Sequence, residues 1–97
     1  MSYYQAMNIL FDWDTEKNEL LIASRGVSFE EVIAILEAGA ELDILEHPNK
    51  KKYPHQKIYV VEINGYAYLV PFVQNKNKIF LKTIIPSRKA QKRYLNI

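Results

Sequence analysis

Between two apolar stretches the chain carries the dipeptide Asn64-Gly65. A type I′ turn needs positive φ at both central residues, Asn and Gly tolerate it best, and the turn joins antiparallel strands without splaying them. A two-residue turn here pairs Ile63 with Tyr66, Val61 with Tyr68 and Tyr59 with Val70. Both flanking segments are thereby committed to one antiparallel sheet, and the remaining apolar runs have to pack on it or extend it.

Downstream, residues 79–85 alternate at the period of a strand. A five-residue loop over 74–78 sets Lys82 opposite Val70 and Ile84 opposite Tyr68. On that register Ile58, Val60, Leu69, Leu81 and Ile85 form the face that suits packing under helices. The other face shows Lys57, Tyr59, Tyr66, Tyr68, Phe72, Phe80 and Lys82. Upstream, residues 8–13 read as a short strand. Asp14 can then cap a helix running to about Ser24, with Glu16 at the favourable end of its dipole. Leu20, Leu21 and Ala23 are its expected buried stripe, and Gly26 can end it in the left-handed conformation. The second helix has clearer boundaries. Ser28 with Glu31 is a capping box, Val27 with Val32 a hydrophobic staple, and Phe29, Val32, Ile33 and Leu36 share a face before Gly39 closes it. A strand over 42–45 and a polar loop over 47–54 complete the order. The expected fold is α+β, a single domain over residues 1–97: two N-terminal helices packed on a small twisted antiparallel sheet, followed by a short C-terminal helix.

That last helix is strongly basic. Pro86 and Ser87 stop the final strand and suit a helix start, and Arg88, Lys89, Lys92 and Arg93 follow within six positions. At helical spacing Arg88 stacks with Lys92 and Lys89 with Arg93, so the helix repels itself unless something anionic lies opposite. The charge distribution extends the point. Residues 1–48 hold two basic and ten acidic groups, a net −8, whereas residues 49–97 hold eleven basic groups and Glu62 alone, a net +10; together they make the +2 of the chain. Such polarity predicts an acidic helical back and a basic front facing phosphate, unless the halves neutralise each other across the fold.

With 97 residues and 48% hydrophobic composition there is room for one core, burying about two thirds of the unfolded surface. The absence of cysteine excludes disulfides and thiolate zinc sites. No apolar run reaches membrane-spanning length, and the start Met1-Ser2-Tyr3-Tyr4 lacks the regions of a secretion signal, so a cytoplasmic protein is expected.

If the anion that the basic front faces is RNA, cleaving it without a metal would need a base for the ribose 2′-OH, cationic donors for the phosphorane and an acid for the leaving oxygen. Lys82 and Arg88 bracket the strand-to-helix corner and are the candidate donors. As structural residues, they would be an edge lysine and a solvated helix arginine. His47 and His55, near the ends of the loop containing Lys50-Lys51-Lys52, are the candidate proton carriers, as is Tyr94. Tyr59, Tyr66 and Tyr68 can stack bases or serve simply as β-formers, and Lys57, Lys89, Lys92 and Arg93 can attract RNA phosphates. Glu62 is an alternative base, or an ion-pair partner near the hairpin end. Asp43 and His47 lack a third ligand, so no metal or other cofactor is expected.

Three ordered motifs resemble one known family. They are Phe11-x-Trp13-Asp14-x-x-Lys17, then Arg25-Gly26-Val27-Ser28-Phe29-Glu30-Glu31 with Asp43, and Thr83-Ile84-Ile85-Pro86-Ser87-Arg88-Lys89-Ala90. Together they resemble the BrnT toxins of type II toxin–antitoxin modules. The resemblance implies a RelE-like fold and a ribonuclease that inhibits translation. It also implies a cognate antitoxin, typically of ribbon-helix-helix type, through which alone DNA is engaged. By position Arg88 matches the arginine of the family's C-terminal signature and Lys17 its N-terminal lysine. Arg25 stands where the family has histidine, Pro86 interrupts the C-terminal signature, and residues 46–56 depart from the central pattern. A non-catalytic RNA- or protein-binding module using the same basic aromatic face is the alternative expectation.

Overall fold

The computed structural model describes residues 2–96. In chain order the elements are α1 (Tyr3–Ala6), β1 (Leu10–Asp12), α2 (Thr15–Arg25), α3 (Phe29–Glu37), β2 (Asp43–Glu46), β3 (Gln56–Ile63), β4 (Tyr66–Asn75), β5 (Lys78–Leu81), β6 (Ile85–Pro86) and α4 (Arg88–Ala90), which runs into a π-helical turn, Gln91–Leu95. The fold is α+β around one six-stranded sheet ordered β1-β5-β4-β3-β2, with β6 beside β4. The expected all-antiparallel sheet is corrected at its edge, where β1 pairs parallel with β5. Among the described residues no helix is long and apolar enough to cross a membrane.

Local chemistry sets the helix boundaries. Ser2 and Gln5 form a capping box for α1, an element that the sequence reading does not contain. Asp14 caps α2 by accepting the Lys17 N–H, and Gly26 closes it at φ 68°. Ser28 and Glu31 cap α3 reciprocally. At its other end the Gly39 N–H donates to Leu36 and the Ala40 N–H to Ile35, the paired bonds of a Schellman motif. Phe29, Val32 and Leu36 are buried from α3, with Ile33 half-buried. Helix α2 contributes less than its pattern suggests: of the expected stripe only Leu21 is buried, while Leu20 is 64% exposed. Asn18 takes an interior position instead, accepting the Phe29 N–H at 2.8 Å and donating to Glu30 at 2.7 Å, so α2 is stitched to the start of α3 by hydrogen bonds.

The β3–β4 hairpin has the register set by Asn64-Gly65, with Ile63 facing Tyr66, Val61 facing Tyr68 and Tyr59 facing Val70. Both turn residues have positive φ. The β4–β5 pairing differs from expectation. Strand β4 continues to Asn75, which faces Lys78 across a tight turn with Lys76 at φ 57°, so Leu81 faces Phe72. Relative to the five-residue loop this is a slip of one residue, and side chains alternate, so β5 presents the opposite faces. Leu69 then faces Ile85, which leaves one more residue on the β5–β6 side than on β4 between the two pairings, a bulge over residues 82–84.

The consequence is an inversion of the expected sheet faces. Tyr59, Val61, Val70, Phe72, Ile79 and Leu81 point toward α2 and α3 and join Phe29, Val32, Leu36 and Leu21 in the main core. Burying each large side chain contributes roughly 1.5–3 kcal/mol. Val60 and Ala67 lie on the opposite, tail face, packed against Ala90 with Leu69, Tyr94 and Leu95 around them. Leu81 therefore belongs with Tyr59 rather than with Val60, and Tyr59 and Phe72 are core rather than surface.

Candidate nucleic-acid interface

The site begins at the β4–β6 junction. Ile85 pairs with Leu69 and Pro86 with Tyr68, so Pro86 is the last strand residue rather than the first of the helix. The Ser87 N–H then donates to Ala67 at 3.1 Å, while the Ser87 hydroxyl accepts the Ala90 N–H and caps α4. Gln91, buried at 7% exposure, completes the attachment. Its Oε1 accepts the Ala67 N–H at 2.7 Å and its Nε2 donates to Gly65 at 3.3 Å. A side-chain amide thus replaces a strand partner for Ala67 and holds the basic helix on the tail face. This anchor escaped the sequence reading, and nothing in the sequence marks a helical glutamine as buried.

The second anchor is Tyr94, whose hydroxyl donates to Asp43 at 2.6 Å. That bond, with the Ile44 N–H, holds the Asp43 carboxyl below its ordinary range, and it pushes the Tyr94 hydroxyl above its own. Between the helix and β2–β4 lies an open groove of about 240 Å³, with Leu45, Ile58, Leu69 and Ala90 among its lining and Lys89, Arg93 and Tyr94 along the helix side. Farther along the same face, Phe80 and Ile85 are exposed at 37% and 40%. Lys82 reaches across β4 on this side, its Nζ donating to Gln56 at 2.9 Å. By register Asp12 of β1 sits next to Phe80 here, a carboxylate that the sequence reading did not single out.

Lys82 and the helix starting at Arg88 therefore share the tail face. Lys82, Arg88, Lys89, Lys92 and Arg93 are all exposed, and among the described residues the single ion pair is Lys50 with Glu46. The two charge halves are not zipped together. Arg25 instead donates to the carbonyl of Ile84 in the bulge, bracing the end of α2 against the final strands.

The other predicted site residues lie elsewhere. Tyr59 is 2% exposed, stacks on Phe72 at 3.9 Å and accepts a hydrogen bond from Tyr4, so it offers no surface for a base. Tyr66 and Tyr68 are half-buried on the helical face, edge to face at 5.7 Å. His55 and Lys57 line a shallow depression with Phe72, also on the helical face. His47 closes a turn, its Nδ1 accepting the Asn49 N–H at 3.0 Å while its ring packs on Tyr53. The tyrosines and the C-terminal cations are thus separated by the thickness of the sheet, because the β5 register differs from the one expected. Glu62 is exposed and faces Ala67 across the hairpin. Among the described residues no three His, Asp or Glu side chains group as ligands for a metal ion.

Comparison with known proteins returned no matching family, no matching curated protein and no matching solved structure.

Proposed function

We propose that the chain is a BrnT-like toxin of a type II toxin–antitoxin module, with a RelE-like arrangement, acting on RNA through the tail face of its sheet. The observation that carries the reading is the set of C-terminal cations. Lys82, Arg88, Lys89, Lys92 and Arg93 are exposed, make no ion pair among the described residues, and border a strip that includes Phe80 and Ile85. Arginine forks and lysine point charges hold phosphates, while exposed aromatic and apolar side chains take unstacked bases. The three motifs support the family likeness, as does the order of elements, with two helices between a first strand and a meander that ends in a basic helix.

In this reading Lys82 and Arg88 stabilise the charge of a phosphorane formed by 2′-OH attack, and Lys89, Lys92 and Arg93 steer the backbone. Phe80 takes the stacking role expected, from the sequence, of Tyr59, Tyr66 and Tyr68. The cognate antitoxin, of ribbon-helix-helix type, covers this basic face and supplies the only contact with DNA. The non-catalytic reading draws on a separate observation: His47 is tied into a turn, His55 lies on the other face, and Tyr94 has its proton held by Asp43. Incubating the purified protein with single-stranded RNA and a chelator separates the two. Cleavage that falls at least a hundredfold in Arg88→Ala and Lys82→Ala is the expected result. Salt-sensitive binding with no cleavage by the wild type contradicts the enzyme and leaves the binding module.

A further inference from the structure

The groove between the C-terminal helix and β2–β4, about 240 Å³, has an aliphatic floor. Leu45, Ile58 and Leu69 are half-buried, so each keeps apolar surface open to solvent, and the nearly closed Ala90 bounds the helix side. An apolar void of about 150 Å³ already holds a benzene-sized body, so one branched aliphatic side chain fits here. The polar side chains at the edge are committed elsewhere. The Ser87 hydroxyl accepts the Ala90 N–H, the Tyr94 hydroxyl donates to Asp43, and Glu46 pairs with Lys50. The Tyr94 ring packs against the cluster of Val60, Ala67 and Ala90 and has the Arg93 guanidinium over it, 5.5 Å from its centroid. A nucleobase is held by stacking on an open ring and by hydrogen bonds to its edges. Beyond Lys89 and Arg93, this lining offers neither.

We infer that this groove is a docking site for an acidic segment of a partner protein, which seats a leucine-like side chain on the floor and sets its flanking carboxylates against Lys89 and Arg93. Charge complementarity carries the choice of partner. Lys89 and Arg93 line the same wall four residues apart, both are exposed, and neither makes an ion pair among the described residues. Two carboxylates lie close by. Glu46 is answered by Lys50, and Asp43 is held by Tyr94 and also feels Arg93. With Arg88 and Lys92 on the same helix, the wall stays net positive and favours an anionic ligand. An aliphatic anchor in a pocket with charges at its rim is how a small interface gains both affinity and orientation. The groove shares Lys89 and Arg93 with the proposed RNA face but rests on neither RNA binding nor cleavage.

The test is a titration of the intact, methyl-labelled protein with the capped pentapeptide Glu-Glu-Leu-Glu-Glu, its alanine-centred version and Lys-Lys-Leu-Lys-Lys. Varying the peptide leaves the fold of the protein out of the comparison. Saturable shifts of the Leu45, Ile58 and Leu69 methyls with the first peptide are expected, weakening severalfold as salt is raised. The alanine-centred peptide should bind at least tenfold more weakly, and the lysine peptide should not bind. Lys89→Gln with Arg93→Gln, both exposed positions, should weaken the first peptide at least tenfold with Tm held. A single-stranded uridine tetranucleotide forms the last arm. If it leaves the floor methyls unmoved while the acidic peptide shifts them, the docking site stands, even where the RNA binds nowhere on the protein and the RNA reading falls. No saturable methyl shift with the acidic peptide, equal binding of its alanine-centred version, tighter binding of the lysine peptide, or floor shifts with the tetranucleotide alone would overturn the inference.

Discussion

The two faces of this sheet are built from the same strands but do different work. On the helical face α2 and α3 cover Tyr59, Val61, Val70, Phe72 and Leu81, and the interior is closed by side-chain packing. On the tail face a three-residue helix and one π-helical turn cover only Val60, Ala67 and their neighbours. They are held there mainly by two polar anchors, Gln91 to the hairpin and Tyr94 to Asp43. A closed core fixes the scaffold. A face held by a few hydrogen bonds leaves cations and apolar side chains exposed, and the proposed RNA site falls on this less tightly packed side.

Substitutions should separate the two faces by size of effect. Phe29→Ala removes a fully buried ring from the helical face and should cost about 3–5 kcal/mol in denaturant unfolding. Gln91→Ala leaves the buried Ala67 N–H without its partner and should cost about 1–3 kcal/mol. Hydrogen exchange in that variant should rise over residues 87–95 before it rises in β3. Lys82→Ala with Arg88→Ala should leave stability within about 0.5 kcal/mol, since both positions are exposed. The slope of RNA affinity against salt should nevertheless become shallower, because fewer phosphates are neutralised.

Titration should also divide the faces. Asp43 has its folded pKa depressed, so its contribution is present above the ordinary carboxylate value of about 4 and is lost as pH falls through the depressed one. Acid should therefore release the C-terminal turn first, read as faster amide exchange over residues 91–95, and Asp43→Asn should remove the transition. Tyr4 and Tyr59 have raised folded values, so their contribution is full below the free tyrosine value of about 10 and disappears as pH rises above it. Alkali should thus destabilise the helical face, and Tyr59→Phe should blunt that loss.

Much of the scaffold is legible in the chain because its signals are local. Asn64-Gly65 specifies a turn from two residues, Ser28 with Glu31 specifies a helix start from four, and Gly39 marks a helix end. The β4–β5 register is not legible in this way. Lys76 at positive φ carries no residue preference that announces a tight turn, and a slip of one residue reverses every side chain of β5. That parity decides whether Tyr59 and Lys82 share a face, so the basic helix could be located from sequence whereas the strand side chains that share its face could not. The bulge over residues 82–84 and the burial of Gln91 depend on tertiary contacts alone.

The measurement that reaches the center of this account is a chemical-shift map of the protein with an uncleavable 2′-O-methyl single-stranded RNA. Shifts concentrated at Phe80, Lys82, Ile85 and the run from Arg88 to Arg93, with Tyr66, Lys57 and Glu41 unmoved, are predicted. A map centred on Lys57, Tyr66 and Tyr68, or no salt-sensitive shifts at all, would contradict it.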